Sequence, residues 1–271
     1  MWVRSLYLTC HSPNQRIQPR DGKAKDLLRQ VFCWLSICMQ LSESNTCLGS
    51  ATFNPGLICN LACVTCGPEA STRWQQELGI PIAPGNPREI DQATIQKAKT
   101  MTGIVIGGGE PVLNYSAETM LEHLNSDQQI NIHFNGTILP KQSFLDKSER
   151  FAHIHYCFSI DGIGERFEYL RWPAKWNKVV DNILWLANAV PDNVTFNVNI
   201  TISQLNKEYY TEVVDWVNQT LPQNKQGRKT IITYNQAGDD LLTLTYLDEL
   251  DKKRKLDWRT LFPNAIDYIL N

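Results

Sequence analysis

Apolar and polar positions alternate with two different periods along most of the chain. Short apolar or alternating runs predict strands, whereas apolar positions repeated every three or four residues predict amphipathic helices. The predicted strands are 51–58, 102–106, 130–134, 153–160, 193–202 and 230–234. The predicted helices are 69–78, 90–99, 116–124, 141–150, 176–190, 208–221 and 246–255. This alternation predicts an α/β fold with about six parallel strands joined by right-handed crossovers.

The part of the chain before residue 48 shows no comparable pattern. Its most apolar run, 27–41, is interrupted by polar side chains and is shorter than the roughly 20 residues needed to span a bilayer. We interpret this run as a buried or docking helix. Residues 1–10 lack the long apolar core and the cleavage site of a signal peptide. We therefore expect a soluble, cytoplasmic protein with no membrane partner.

The composition fits one large α/β domain, or such a domain with a small appendage. The chain has 271 residues, of which 42% are hydrophobic, so a sizeable core can be buried. A net charge of -2 argues against general affinity for nucleic acid or anionic membranes. Eight cysteines without a signal peptide fit a reducing compartment better than a disulfide framework.

Three cysteines follow the first predicted strand: Cys59, Cys63 and Cys66. Thiolates bind zinc and iron–sulfur clusters. A structural zinc site needs a fourth ligand, and Cys47 or a histidine would supply it in a non-catalytic zinc or electron-transfer module. A cubane cluster with three protein ligands instead keeps one iron open to a substrate or cofactor. The early cysteines are either small buried side chains or a second metal or cluster site: Cys10, Cys33, Cys38 and Cys47.

The following predicted strands also end at polar or glycine-rich segments. These segments are 107–111, which contains three glycines, and 135–136, 159–162 and 201–206. In parallel α/β folds the carboxyl ends of the strands form one edge, where reactive loops gather. The glycine run lacks the patterns of a P-loop and of a dinucleotide fingerprint. Its glycines allow the backbone to approach a ligand closely.

The motif Cys59-x3-Cys63-x2-Cys66, followed by Gly108-Gly109-Glu110-Pro111, resembles the radical S-adenosylmethionine (radical SAM) superfamily. The segments 135–136 and 159–162 are similar to those of its subgroup with SPASM or twitch extensions. The resemblance covers about residues 50–236 and implies a partial (β/α)6, TIM-like barrel of parallel strands with helices outside. It divides the chain into an N-terminal extension of unclear role, 1–48, a radical SAM core, 49–236, and a C-terminal helical tail, 237–271.

The resemblance implies that Cys59, Cys63 and Cys66 hold a [4Fe-4S] cluster whose fourth iron binds S-adenosylmethionine (SAM). The reduced cluster would cleave SAM to a 5′-deoxyadenosyl radical that abstracts hydrogen from a substrate, with electrons from a reductant such as a flavodoxin or ferredoxin. Arg171 is expected to pair with the SAM carboxylate, and Asn206 is an alternative to Thr201. No catalytic residue is singled out. The implied SAM-binding residues are Gly108, Gly109, Glu110, Asn135, Ser159, Asp161, Arg171 and Thr201.

Two features depart from the pattern of the family. Thr65 stands where many members carry an aromatic residue against the adenine. No cysteine follows Cys157, which we interpret as a core residue, so a C-terminal auxiliary cluster is not expected. A peptide or protein side chain is the preferred substrate, because Ser-Ile-Asp-Gly segments are common among peptide-modifying members. A small-molecule or nucleotide-derived substrate, and an inactive relative, are the alternatives.

Overall fold

The computed structural model describes residues 40–43, 49–82, 90–221, 230–237 and 244–269. These residues contain a seven-stranded sheet in which each strand pairs with its neighbours in chain order. The strands are β1 Gln40–Glu43, β2 Ser50–Asn54, β3 Gly103–Ile106, β4 Gln129–Phe134, β5 His153–Ser159, β6 Val194–Ile202 and β7 Ile231–Gln236.

Helices connect the strands and follow the last one. The helices are α1 Thr72–Leu78, α2 Gln92–Lys99, α3 Tyr115–His123, α4 Gln142–Ser148, α5 Gly164–Leu170, α6 Trp176–Ala189, α7 Tyr210–Thr220, α8 Leu244–Arg254, α9 Trp258–Leu261 and α10 Ile266–Ile269. Single 3-10 turns lie at Pro111–Leu113 and Pro263–Ala265.

The sheet is parallel from β2 to β7, whereas β1 runs antiparallel to β2. Parallel neighbours require crossover connections, which the helices provide. The predicted partial barrel, with six parallel strands and helices outside, is confirmed. Strand β1 was not predicted, and it includes Gln40 and Leu41, the last two residues of the apolar run interpreted as a helix. The rest of that run lies outside the described residues, as do Cys10, Cys33, Cys38 and Cys47.

Alternation along the strands separates a helix-facing side of the sheet from its concave side. Ile130, Ile132 and Phe134 of β4 are buried in the main core. Residues 131 and 133 between them therefore face the concave side. A second core joins the segment after β2 to the C-terminal helices, through Ala62, Val64, Leu247, Leu250, Trp258 and Phe262. The C-terminal segment is thus packed against the loop that carries the three cysteines.

Two predicted boundaries are corrected by local side-chain hydrogen bonds. Strand β2 ends at Asn54 rather than at residue 58, because Asn54 Oδ1 accepts the Gly56 N–H at 2.9 Å and Gly56 has φ +141°. Helix α1 begins at Thr72 rather than at residue 69, because Ser71 Oγ accepts the N–H groups of Arg73 and Trp74. Both corrections lengthen the loop that contains Cys59, Cys63 and Cys66.

No helix in the described ranges is long and apolar enough to cross a membrane. The cytoplasmic location and the boundaries of the three predicted chain segments stay predictions.

Candidate active site

The three cysteines occupy the loop between β2 and α1, at the carboxyl edge of the parallel strands. Cys63 is buried, while Cys59 and Cys66 are partly buried. The Cys66 thiol donates a hydrogen bond to Cys63, which lowers the pKa of Cys63 to about 7, and the charge of Arg171 acts in the same direction. This hydrogen bond and burial raise the pKa of Cys66. Burial raises the pKa of Cys59 to about 12.

Of the three thiols, only Cys63 has a lowered pKa, so without a metal the three side chains are not all thiolates. Among the described residues, no three or more His, Cys, Asp or Glu side chains are grouped so as to hold a metal ion. The donor set itself suits an iron–sulfur cluster, because three thiols share one loop and Cys63 ionises near neutral pH.

The glycine turn after β3 lies directly against the cysteine loop. The Gly109 N–H donates to Gly56 O at 2.9 Å, and the Glu110 N–H donates to Ile58 O at 2.7 Å. A Cβ atom on Gly109 would lie 2.4 Å from Ile58 O, which is far too close for any side chain. Gly108 has φ +114°, a conformation that favours glycine. The two glycines therefore allow the two backbones to approach.

Glu110 is buried beneath this turn with one carboxylate oxygen free. Its Oε2 accepts the Asn135 N–H at 2.7 Å, whereas Oε1 is buried and has no hydrogen-bond partner. Burial raises the pKa of Glu110 to about 8, against the opposing effects of the backbone N–H groups of Asn135 and Val112. Glu110 contributes a side chain to the site as well as backbone groups.

Asn135 links the end of β4 to the cysteine loop. Its Nδ2 donates to Asn60 Oδ1 at 2.9 Å, and Asn60 Nδ2 donates to Thr137 Oγ1 at 2.8 Å. Thr137 in turn donates from its N–H and hydroxyl to Asn135 Oδ1. Sequence reasoning missed Asn60 and Thr137. The only signal for them was their position: Asn60 lies inside the cysteine motif, and Thr137 directly follows the segment 135–136.

Asp161 and Arg171 form a buried ion pair next to Cys63 of the loop. Arg171 Nη2 lies 2.7 Å from Asp161 Oδ2, and Arg171 Nη1 lies 3.9 Å from Cys63 Sγ. Burial opposes the charge of the guanidinium, but Asp161 and Cys63 stabilise that charge, and together they raise the pKa of Arg171. Arg171 Nε is buried and has no partner.

Thr201 and Asn206 fix the position of Asp161. The Thr201 N–H donates to Asp161 Oδ1 at 2.7 Å, and Asn206 Nδ2 donates to Asp161 O at 2.8 Å. Thr201 in β6 and Asn206 in the segment after β6 thus hold Asp161 in position for the ion pair. Ser159 ends β5 in register with Asn199, two residues before Asp161.

A row of uncharged polar side chains lies on the concave side, one layer below this edge. His133, Cys157 and Asn197 are in register on β4, β5 and β6. Burial and the charge of Arg171 lower the pKa of His133 to about 4, and burial raises the pKa of Cys157 to about 12. Asn197 Oδ1 is buried without a partner. Cys157 is buried as predicted, but the row as a whole was not recognised in the sequence.

Two buried polar atoms without partners therefore flank the cysteine loop, one from a carboxyl group and one from a guanidinium: Glu110 Oε1 and Arg171 Nε. Buried polar groups are normally hydrogen-bonded, so each of these atoms points to a missing partner. An acidic acceptor and a cationic donor fit the ammonium and carboxylate ends of an amino acid. The methionyl part of SAM has both groups.

The fold and site define an α/β partial barrel with a three-cysteine loop at the carboxyl edge of its parallel strands. The family model described as "Radical SAM superfamily" matches residues 53–217, more than half of the chain. The chain belongs to the radical SAM superfamily. Membership confirms the resemblance seen in the sequence and implies SAM and an iron–sulfur cluster as cofactors. The SPASM or twitch subgroup stays a prediction.

Several solved structures are similar to this chain at low sequence identity. Streptococcus suis SuiB bound to the precursor peptide SuiA has a TM-score of 0.51 and 14% identity, over 94% of this chain and 55% of that chain. SuiB bound to S-adenosylmethionine has a TM-score of 0.48 and 15% identity, over 77% of this chain and 47% of that chain. The anSMEcpe structure with AdoMet and the Kp18Cys peptide has a TM-score of 0.49 and 15% identity, over 80% of this chain and 61% of that chain. The chain thus matches about half the length of SuiB. No curated protein matches it.

Proposed function

We propose that this chain is a radical SAM enzyme in which Cys59, Cys63 and Cys66 hold a [4Fe-4S] cluster. When bound, the cluster and SAM supply a 5′-deoxyadenosyl radical that abstracts hydrogen from the substrate, with electrons from a flavodoxin or ferredoxin. The protein binds the methionyl end of SAM, orients it and excludes water. Glu110 Oε1 receives the ammonium group, and Arg171 donates to the carboxylate.

The observation that carries this proposal is the pair of orphaned atoms beside the cysteine loop. Glu110 Oε1 and Arg171 Nε are both buried and unpartnered, and Arg171 Nη1 lies 3.9 Å from Cys63 Sγ. A zinc module would explain the cysteines but not a buried carboxylic acid and a buried guanidinium next to them. Asp161, Thr201 and Asn206 hold Arg171 in place through the ion pair.

The experiment that tests the proposal is anaerobic reconstitution with iron and sulfide, followed by dithionite and SAM. Formation of 5′-deoxyadenosine, measured by chromatography and lost in Cys63→Ala, would support radical chemistry. A wild-type protein that loads zinc and no iron would overturn it. A loaded cluster without 5′-deoxyadenosine, whatever the added substrate, would identify an inactive relative.

For the substrate we propose a peptide or protein side chain. The side chains of His133, Cys157 and Asn197 are uncharged near neutral pH. Asn197 Oδ1 has no hydrogen-bond partner and can accept a hydrogen bond from a peptide N–H. Two of the similar structures, SuiB and anSMEcpe, have peptides bound. The alternative is a small-molecule or nucleotide-derived substrate.

Stimulation of SAM cleavage distinguishes these substrates. Peptides encoded beside the gene are compared with nucleosides and nucleotides as activators of 5′-deoxyadenosine formation. A peptide that accelerates cleavage and changes mass would support the assignment, with Asn197→Ala expected to weaken the effect. Acceleration by nucleosides or nucleotides alone would contradict it.

A further inference from the structure

Side chains outside the cysteine loop donate hydrogen bonds to its peptide carbonyls. Three of these donors belong to α1 or its N-cap. Thr72 Oγ1 donates to Cys59 O at 3.1 Å, Ser71 Oγ donates to Leu61 O at 2.5 Å, and Trp74 Nε1 donates to Cys63 O at 2.9 Å. The adjacent helix thus holds one side of the loop.

The C-terminal helix α8 holds two more carbonyls of the same loop. Arg254 Nη2 donates to Ala62 O at 2.7 Å, and Tyr246 Oη donates to Val64 O at 3.3 Å. Arg254 Nη1 also donates to Tyr169 O, at the end of α5. Arg254 therefore joins the cysteine loop and the barrel to a helix that is distant in sequence.

Arg254 is a buried cation, with 3% of its surface exposed. Its guanidinium lies 5.3 Å from the ring of Tyr169 and 6.0 Å from that of Trp74. It forms no salt bridge with any residue that the structure describes. Burying an arginine without a carboxylate is costly, so its charge needs another counterpart. The hydrogen bond to Ala62 O also places the guanidinium at the peptide group that precedes Cys63.

The geometry of the peptide bond links these contacts to the opposite side of the loop. In a trans peptide the C=O and the following N–H point in opposite directions. Because Ala62 O points toward Arg254, the Cys63 N–H points away from Arg254. In the same way, Val64 O points toward Tyr246 and the Thr65 N–H points away from Tyr246. Hydrogen bonds to cluster sulfurs and nearby net charge both set the reduction potential of an iron–sulfur cluster.

We infer that Arg254 is a positioning residue for the cluster, which orients the Cys63 N–H toward the cluster and places a compensating positive charge behind it. This inference rests on the proposed function, because it requires the cluster. An anionic cluster is the counterpart that the buried guanidinium otherwise lacks. The positive charge favours the more negative, reduced cluster and so raises its reduction potential.

The first test uses the cluster-free protein, so it does not depend on activity. Amide hydrogen exchange is measured on a peptide covering 57–68 in wild type, Arg254→Lys and Arg254→Met. The loss of the charge-assisted hydrogen bond to Ala62 O predicts at least about tenfold faster exchange of this peptide in Arg254→Met, with Arg254→Lys in between. Arg166→Met is the matched control, because Arg166 Nε holds the C-terminal segment through Leu261 O at 2.7 Å but contacts no carbonyl of the cysteine loop.

The second test is an EPR-monitored redox titration of the reconstituted proteins. Arg254→Met is expected to lower the midpoint potential, whereas Arg254→Lys, which keeps the charge, and Arg166→Met are expected to stay near wild type. If Arg254→Met does not fold, the comparison of Arg254→Gln with Arg254→Lys replaces it. If wild type cleaves SAM but Arg254→Met has the same exchange rate and the same midpoint potential as wild type, the role of Arg254 is overturned and the proposed function stands. A wild type that loads no cluster would overturn the proposed function as well.

Discussion

The guanidinium of Arg171 pairs with the carboxylate of Asp161 at 2.7 Å, between Nη2 and Oδ2, while both side chains are buried. This ion pair leaves Arg171 Nε free and holds Nη1 near Cys63 Sγ, at 3.9 Å. The arginine is therefore fixed before any ligand arrives. Such fixed orientation reduces the entropy lost when a ligand binds.

We expect Arg171→Lys to weaken SAM binding by about 10- to 100-fold, because a charge-assisted hydrogen bond contributes about 1.5–3 kcal/mol. Lysine keeps the charge opposite Asp161 but cannot reproduce the planar donor set. Iron content should stay at the wild-type level. Equilibrium dialysis with the reconstituted protein measures the affinity. Arg150→Lys, which alters an arginine bound to the carbonyls of Leu121, Glu122 and Leu124, is the control. Unchanged SAM affinity would remove Arg171 from the site.

The contribution of Glu110 to the stability of the apoprotein should fall as the pH rises from about 4.5 to about 8, because burial raises the pKa of Glu110 to about 8 from its ordinary value of 4.5. In this window the folded state keeps a proton that the unfolded state has lost, so folding is favoured at the lower pH. The contribution of Glu110 changes by at most about 1.4 kcal/mol per pH unit.

Urea unfolding of the apoprotein at pH 6 and pH 8 measures this effect. Relative to wild type, Glu110→Gln should lose less stability, or gain more, between pH 6 and pH 8, because glutamine does not titrate. The control is Glu118→Gln, since Glu118 is a surface carboxylate paired with Lys147 at 2.5 Å. An equal pH dependence in wild type and Glu110→Gln would show that Glu110 is ionised in the folded protein.

Two glycines of the same turn should respond differently to alanine. Gly109→Ala should destabilise the protein by about 1–3 kcal/mol, because its Cβ would lie 2.4 Å from Ile58 O. Gly107→Ala should be tolerated, because a Cβ there has nothing within 4 Å. Thermal unfolding and iron content after reconstitution measure both effects. Equal behaviour of the two variants would contradict the close approach of the turn to the cysteine loop.

Iron content should separate the cysteines of the loop from the buried cysteine of β5. Cys63→Ser should abolish or strongly reduce iron and sulfide loading, because it removes one of three thiolate ligands. Cys157→Ser should load iron normally, because Cys157 lies on the concave side in register with His133 and Asn197. Normal loading of Cys63→Ser would exclude the loop as the cluster site.

The parallel core of the fold could be predicted from the sequence, because period-two and period-3.6 patterns report burial directly. The boundaries around the cysteine loop could not. Strand β2 ends early through the contact of Asn54 with Gly56, and α1 begins late through the cap at Ser71. Both effects are local polar contacts that leave the hydrophobic pattern unchanged. Strand β1 has only four residues, too few to show a period.

Residues of the candidate site could be predicted when they belong to a sequence motif. Residues that reach the site from a distant part of the chain could not be predicted. Glu110 and Arg171 were found through sequence segments, but the free atoms that they present come from burial. Asn60 and Thr137 were missed because their role lies in one hydrogen-bonded cycle with Asn135. Arg254 belongs to the predicted helix 246–255, and arginines are rarely buried, yet its guanidinium is buried.

The hydrogen bond from Arg254 to Ala62 O joins residues 192 positions apart in the chain. A ribosome makes the cysteine loop early and the side chains of Arg254 and Tyr246 near the end of this sequence. During translation the loop therefore leaves the exit tunnel without the donors that hold two of its carbonyls. Its final shape depends on completion of α8, so iron delivery that precedes this step meets a loop held from one side only.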